Sequence, residues 1–395
     1  MNFEEFNLSN NLMSAIKGLR LSTPTQVQEL AVPLVMSGRD VIAESATGSG
    51  KTLVFGCCIV DSVIPNKGLQ ALVLTPTREL AEQVKNMLTI LSRHKHLRVI
   101  AVYGGVSINN QVTDLQRAEV VVATPGRLLD HLQRRTINTS RINILVLDEA
   151  DRMFDMGFID DVERIIRACP TKRQTLFFSA TIRPVVKQLA NKHMVNPVMV
   201  SAQNMVDPSK LKQVYYNIQK NMKLSLLVHL LQHEQSGLVM VFCNTRRNTD
   251  YVAKNLKLNR VSAIAIHGGL SQNKRSKTIS LFNGAKVQVL VCTDVAARGL
   301  HIERVSHIYN YDLPKDPNDY IHRIGRTARA GEEGKVINLL CDFDYDNFSR
   351  ILDDYRSFII QEEKTPYLQR AAMTPDNRKQ FGRRQFMRRR NNYRR

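Results

Sequence analysis

The chain has 395 residues and a formal net charge of +20, from 56 Lys and Arg against 36 Asp and Glu. Hydrophobic residues make up 43% and charged residues 23%, a globular composition that excludes a wholly disordered chain and suits two to three domains. No apolar run approaches the ~18 residues of a membrane-spanning helix, and the acidic start Met1-Asn2-Phe3-Glu4-Glu5 lacks the order of a secretory signal. A soluble, cytoplasmic protein with a polyanionic partner is expected.

In chain order, Ser9 is a good N-cap, and Leu12, Ile16 and Leu19 follow at helical spacing. Short Val/Ile/Leu/Ala runs then recur at 41–43, 71–74, 99–102, 120–122 and 144–147, alternating with amphipathic stretches. Runs of this kind suit strands buried on both faces of a parallel sheet. A polar, proline-containing stretch interrupts the rhythm, and a second set of runs follows at 239–242, 263–266, 287–291 and 336–340. The expected architecture is α/β, with two doubly wound, mainly parallel domains. Their boundaries are placed at 1–203 and 211–363, with a linker at 204–210 and a disordered basic tail at 364–395. From Arg370 to Arg395 the tail carries ten Arg or Lys and one Asp, with Phe381, Phe386 and Tyr393 interleaved, as suits contact with phosphates and unpaired bases. The six cysteines form no CxxC pair and read as buried thiols of a reducing compartment. His229 and His233, four apart, read as packed or solvated side chains rather than metal ligands.

The chemistry-bearing features begin at Ser45-Ala46-Thr47-Gly48-Ser49-Gly50-Lys51-Thr52, directly after a strand-like run. Gly48 and Gly50 let backbone N–H groups wrap a phosphate, Lys51 pairs with the β- and γ-phosphates, and Thr52 ligates Mg²⁺. The strict phosphate-loop pattern has glycine where this chain has Ser45. The run 144–147 then delivers Asp148 and Glu149 to the carboxyl edge of a sheet, where α/β proteins bind ligands. Asp148 suits Mg²⁺ and Glu149 the water that attacks the γ-phosphate. Together these elements point to nucleoside triphosphate hydrolysis.

Asp148-Glu149-Ala150-Asp151 resembles the signature of the DEAD-box ATP-dependent RNA helicases of superfamily 2, and the remaining motifs fall in that family's order. They are Pro76-Thr77-Arg78-Glu79-Leu80, Gly104-Gly105, Thr124-Pro125-Gly126-Arg127 and Ser179-Ala180-Thr181 in the first half. In the second half they are Val241–Thr245, Gln272 with Arg275, Thr293–Gly299 and His322–Arg329. The Q motif departs from the family's Gly-Phe-x-x-Pro-Thr-Pro-Ile-Gln, reading Arg20-Leu21-Ser22-Thr23-Pro24-Thr25-Gln26-Val27-Gln28, and His301 replaces a usual acid after motif V.

The resemblance implies two tandem RecA-like domains that close on ATP and RNA. It implies that Gln28 reads the adenine edge and that Phe3, seventeen positions before Arg20, packs on the base. Asp294 would accept from the ribose, and Arg326 and Arg329, read as one helical turn apart, would act as arginine fingers. Asp151, Ser179, Thr181 and His322 would couple the ATP site to closure. The RNA backbone would meet Thr77, Arg78, Gly104, Gly105, Thr124 and Arg127 in the first domain. In the second it would meet Thr245, Gly268, Arg275 and Thr293, with little base specificity. Ribosomal or other ribonucleoprotein partners suit such a protein. Two rival readings stand beside this one. An ATP-gated RNA clamp or annealing factor without useful unwinding would show the same motifs. A DNA helicase would be built on the same two-domain engine, but the Gln28-containing motif and Asp148-Glu149-Ala150-Asp151 favour RNA.

Overall fold

The computed structural model describes residues 2–45, 48–202, 211–297, 300, 302, 305–328, 333–356 and 358–374. The expected linker 204–210, Ala46, Thr47, His301, Arg329 and the basic stretch from Pro375 onward lie outside these residues. Two compact units divide the chain near residue 207.

The first unit holds strands β1 (Val41–Ser45), β2 (Ala71–Leu74), β3 (Val99–Val102), β4 (Val120–Ala123), β5 (Ile144–Leu147), β6 (Gln174–Ser179) and β7 (Val198–Ala202). They form one sheet in the order β3-β4-β2-β5-β6-β1-β7, with every pairing parallel. Because side chains alternate across a strand, Val41, Ala43, Val73 and Val146 join one core cluster. Ile42, Leu72, Leu74 and Leu147 join a second, on the other face. That two-sided burial is why these segments read as unbroken apolar runs, and each buried Val, Leu or Ile contributes about 1.5–3 kcal/mol. The Ser9 cap forms as expected: its hydroxyl accepts from Leu12 N–H at 3.4 Å and donates to Asp61 Oδ1 at 2.5 Å.

The second unit repeats the plan with β8 (Leu211–Asn217), β9 (Leu238–Phe242), β10 (Ala263–Ile266), β11 (Val289–Cys292), β12 (Val305–Asn310), β13 (Gly334–Leu340) and β14 (Ile360–Glu362). The order is β10-β11-β9-β12-β13-β8-β14, again parallel at each pairing. Lowering each label by seven gives the order of the first sheet. The equivalence reaches single residues. Lys51 opens the helix Lys51–Ser62 six positions after β1 ends, and Lys223 opens the helix Lys223–His233 six positions after β8 ends. In the second unit, however, Lys223 Nζ lies 2.6 Å from Asp344 Oδ2, with both side chains buried. The cation that faces a glycine loop in the first unit is neutralised by a carboxylate in the second.

The second core also holds a polar seam. Tyr320 donates to Gln213 Oε1 at 2.8 Å, Asn338 Nδ2 donates to Tyr320 Oη at 3.2 Å, and Asn310 Nδ2 donates to Asn338 Oδ1 at 2.8 Å. Each of these buried polar groups is thus paired, which removes the desolvation penalty of leaving it unsatisfied.

Two expectations need correction. Residues 364–374, assigned to a disordered tail, lie on the second unit. Leu368 and Ala371 pack against its core, Asn259 exchanges two bonds with Ala372, and Thr374 N–H donates to Asn255 Oδ1 at 2.7 Å. Apolar Leu368, Ala371 and Ala372 precede the charge-rich stretch, so this part of the segment has something to bury. Arg326 is not on a helix, because the helix Pro317–Ile324 ends at Gly325, and the following turn carries Ala328 at φ 52°. The six cysteines are all free and buried, and burial pushes their thiols up. His229 and His233 stack with ring centroids 4.1 Å apart. No described helix is long and apolar enough to cross a membrane.

Candidate active site

Strand order fixes the site of the first unit. The glycine loop follows β1, Asp148 and Glu149 follow β5, and β6 runs between those strands, so Ser179 at its end separates the loop from the acids. Loop and acids therefore lie two strand spacings apart, ~10 Å, close enough for a triphosphate and a cation to bridge.

The loop is held from outside by the Q motif. Thr25 Oγ1 donates to Ser49 O at 2.7 Å, and Gln28 Nε2 donates to Gly50 O at 3.1 Å. Gly50 sits at φ 93°, and a Cβ there would stand 2.3 Å from Gln28 Nε2, so only glycine allows both the turn and the approach. Thr25 N–H in turn donates to Gln28 Oε1 at 2.9 Å. A carboxamide has two N–H groups and two acceptor lone pairs, which leaves Gln28 one of each for a base. Lys51 is buried and uses one of its three donors on Ser45 O at 2.9 Å. Thr52 is half-buried on the first turn of the same helix. Phe3, buried and edge-on to Phe6, lines a cavity of about 470 Å³ with Lys17, Arg20, Leu21 and Ser22. The cavity thus takes in the start of the Q motif, while Gln28 turns to the loop.

Asp148 and Glu149 are both buried but differently served. Among the described residues, Asp148 Oδ1 has no hydrogen-bond partner. Burial pushes this carboxyl up to about 7, with Lys51 opposing the rise and Glu149 adding to it. Glu149 takes φ 53° and ψ 51° as the cap of the short helix Ala150–Asp155, a left-handed conformation that costs a non-glycine residue about 1–2 kcal/mol. Its Oε2 accepts from Arg152 Nη1 at 2.8 Å. Asp151, Ser179 and Thr181 form a closed ring. Asp151 N–H donates to Ser179 Oγ at 3.2 Å, Ser179 Oγ donates to Thr181 O at 2.8 Å, and Thr181 Oγ1 donates to Asp151 Oδ2 at 3.3 Å.

The carboxyl edge of β3, β4 and β2 carries the residues expected to meet RNA. Thr77 caps the helix Arg78–Leu91 by accepting from Leu80 N–H at 3.3 Å. Arg78 lies on the Gly104-Gly105 turn, where a Cβ on Gly105 would stand 2.0 Å from its Nη1. Arg127 Nη1 donates to Val106 O at 3.1 Å and to Gln111 Oε1 at 3.0 Å, and Thr124 caps the helix that carries it. The second unit repeats this edge. Thr245 caps the helix Arg246–Leu258 through Asn248 N–H at 3.1 Å, and a Cβ on Gly268 would come 3.3 Å from Arg246 Nη2. Thr293 follows β11 as Thr124 follows β4, and Arg275 is half-buried on the helix Gln272–Asn283. Arg246, the counterpart of Arg78, is absent from the sequence-derived set. Its available signal was the repeated Thr-Arg three residues after a strand.

The motifs alone give Arg323 no role either. It is 1% exposed, and its guanidinium grips Asp294 at 2.6 and 2.7 Å, Asn244 Oδ1 at 3.0 Å, Asn310 Oδ1 at 2.9 Å and Asp312 O at 2.6 Å. Asp294, expected at the ribose, therefore has each oxygen oriented by this fork. Arg326 is buried and His322 half-buried in the same region.

A sequence model of the DEAD/DEAH box helicase family matches residues 25–189, and one of the helicase conserved C-terminal domain matches 222–331. The chain is 43% identical over 342 residues to the DEAD-box ATP-dependent RNA helicase CshA of Bacillus subtilis, covering 86% of this chain and 69% of that one. It is 42% identical over 355 residues to the ATP-dependent RNA helicase CshA of Limosilactobacillus reuteri, covering 89% and 71%. Among solved structures it is similar to Saccharomyces cerevisiae Dbp5 bound to RNA and ADP BeF3, with a TM-score of 0.85, 32% identity and coverage of 92% and 96%. A DEAD box protein from Methanococcus jannaschii is 39% identical, with a TM-score of 0.56 and coverage of 92% and 99%. The two parallel sheets are thus tandem RecA-like domains, and the chain belongs to the DEAD-box ATP-dependent RNA helicases.

Proposed function

We propose that this chain couples RNA-stimulated ATP hydrolysis to closure of its two domains, opening short RNA duplexes or remodelling RNA–protein complexes in the cytoplasm. The observation that carries the reading is the arrangement at β5 and β6. Two buried acids follow β5, two strands from the loop held by Gln28, and the Asp151–Ser179–Thr181 ring ties the segment that carries them to the neighbouring strand.

The donors at this edge fit a hard dication. Asp148 Oδ1 is buried without a partner among the described residues, and Thr52 offers a hydroxyl on the helix that follows the loop. Asp148 and Thr52 would hold Mg²⁺, which would supply charge neutralisation for the triphosphate. The chain's own groups do the rest. The backbone at 46–50 and two remaining Lys51 donors receive the phosphates, Gln28 reads adenine with its spare N–H and lone pair, and Phe3 packs near the base. Asp294 receives the ribose. Glu149 takes a proton from the attacking water, while Arg326 and Arg329 place positive charge on the γ-phosphate once ATP and RNA have drawn the halves together. An arginine finger is worth roughly 10³–10⁵ in rate, so turnover without RNA is slow. Asp151, Ser179, Thr181 and His322 relay the closed state. Thr77, Arg78, Gly104, Gly105, Thr124 and Arg127, with Thr245, Gly268, Arg275, Thr293 and Arg246, hold the RNA backbone without reading its sequence.

The test is Glu149→Gln in the full chain. It should nearly abolish RNA-stimulated turnover and leave ATP-dependent RNA binding in place. ATP hydrolysis at the parent rate would refute the assignment.

A further inference from the structure

The carboxylate assigned above as the base is not loose. Arg152 Nη1 lies 2.8 Å from Glu149 Oε2, and the two side chains are 1% and 4% exposed. An Arg three residues after a Glu ordinarily makes a helix-surface pair that solvent weakens. Two features set this pair apart. It is shut away from water, so both groups keep one another rather than exchanging with solvent. And Glu149 is not inside the helix but caps it at φ 53°, so the rotamer preferences of helical residues do not choose where its side chain goes. The guanidinium does.

The neighbouring acids are thereby given different tasks. Asp148 keeps a buried oxygen without a partner among the described residues. Glu149 has Oε2 fixed, and Oε1 has no hydrogen-bond partner among the described residues. We propose that Arg152 is a positioning residue for hydrolysis, holding Oε2 of Glu149 so that Oε1 is the oxygen that takes the proton. In that step the water oxygen bonds to the γ-phosphorus and the bond from the γ-phosphorus to the bridging oxygen breaks. ADP leaves with that electron pair, and the water's proton goes to Oε1. The inference rests on the reading of Glu149 as base.

Full-length parent, Arg152→Gln, Arg152→Lys, Glu149→Gln and the double variant E149Q/R152Q are compared by RNA-stimulated ATP turnover, with circular dichroism giving the folded fraction. Misplacing a reacting group by about 1 Å costs on the order of 10² in rate. R152Q should therefore lower kcat about 10–100-fold, with the ATP KM and the half-saturating RNA concentration within about twofold of the parent. R152K, which restores charge but not the planar fork, should recover part of that loss. In the E149Q background, R152Q should change the residual rate less than about twofold, because no base remains to be positioned. If R152Q fails to fold, R152K and the double variant, which buries no unpaired Glu149 charge, decide the matter.

The proposal is overturned if R152Q and R152K both keep kcat within about twofold of the parent. It is also overturned if the loss only tracks the folded fraction, or if R152Q slows E149Q as much as it slows the parent. An inactive E149Q beside a fully active R152Q refutes the positioning role alone. An active E149Q refutes the base assignment beneath it.

Discussion

Arg323 pins together three segments far apart in sequence, and removing it should loosen the second domain selectively. Arg323→Met deletes five hydrogen bonds, to Asp294, Asn244, Asn310 and Asp312, and leaves the carboxylate of Asp294, 19% exposed, without its counter-charge. Methionine fills much of the volume, so the cost is electrostatic rather than a cavity. Breaking one side of a buried ion pair costs about 3–5 kcal/mol. The guanidinium also stands 5.0 Å from the ring centroid of Phe242, and methionine supplies no cation to attract that ring. Native-state hydrogen exchange read by mass spectrometry resolves the domains separately. Peptides covering β9 and β12 should lose roughly 10²–10⁴-fold of their protection, the span that 3–5 kcal/mol corresponds to. Peptides covering β2 and β5 should change little. Arg323→Lys, with charge but no fork, should fall between parent and R323M. A loss under about threefold in β9 and β12, or an equal loss in both domains, would refute the reasoning.

Other consequences follow from single contacts. Gly50→Ala adds a Cβ 2.3 Å from Gln28 Nε2 at φ 93°. Left-handed strain plus one broken hydrogen bond totals about 2–3 kcal/mol, so ATP affinity by calorimetry should fall roughly 30–150-fold; a change within threefold would contradict the clamp. His131 is buried between Thr136 Oγ1 and Gln111 Oε1, and burial, then Arg127, hold its pKa below the ordinary 6.5. The unfolded chain therefore takes the proton first, and stability falls as pH drops below about 6.5. Between pH 7.5 and 5.5 the parent's urea midpoint should drop further than that of His131→Gln, and equal drops would refute this. Asn259→Ala removes two bonds to Ala372, about 2 kcal/mol. Tryptic cleavage after Arg370 should speed up about 30-fold, and unchanged cleavage would mean that the 364–374 segment is held by other contacts.

Much of this architecture is written in local sequence, for a physical reason. Strands covered on both faces need unbroken Val, Ile, Leu and Ala, so β2, β3 and β5 in the first sheet and β10 in the second match their apolar runs residue for residue. The strands without such runs are of three kinds, the first being β6, whose Phe177 and Phe178 are flanked by Gln174, Thr175 and Ser179. β7 and β14 are edge strands that also leave residues exposed, Met199 and Ser201 in β7 and Gln361 and Glu362 in β14. β8 and β12 carry Gln213 and Asn310, polar residues whose partners, Tyr320 and Asn338, come from elsewhere in the chain. Their burial is tolerated only once the domain is assembled, and no local pattern announces it.

The site divides in the same way. The glycine loop and the Asp-Glu pair carry their chemistry within a few residues. Arg152 and Arg323 look like solvated helix charges in sequence, yet each is among the largest fully buried side chains. Sheet order brings Arg323 against Asp294, and the packing of the helix Ala150–Asp155 buries Arg152 beside its near neighbour Glu149; neither burial is announced by the local sequence. The stretch 364–374 is a similar case: basic residues beyond it dominate its composition, while Leu368, Ala371 and the helix face bearing Asn255 and Asn259 decide its place.

The central claim is that ATP turnover at Asp148 and Glu149 is converted into separation of RNA strands. It is met most directly by strand displacement of a short, tailed RNA duplex, measured in parallel with ATP hydrolysis for the parent and Glu149→Gln. The parent should displace the strand only with ATP, RNA should stimulate its turnover well above DNA of the same sequence, and the variant should show neither activity. RNA-stimulated turnover at full rate with no displacement would contradict it and favour an ATP-gated clamp.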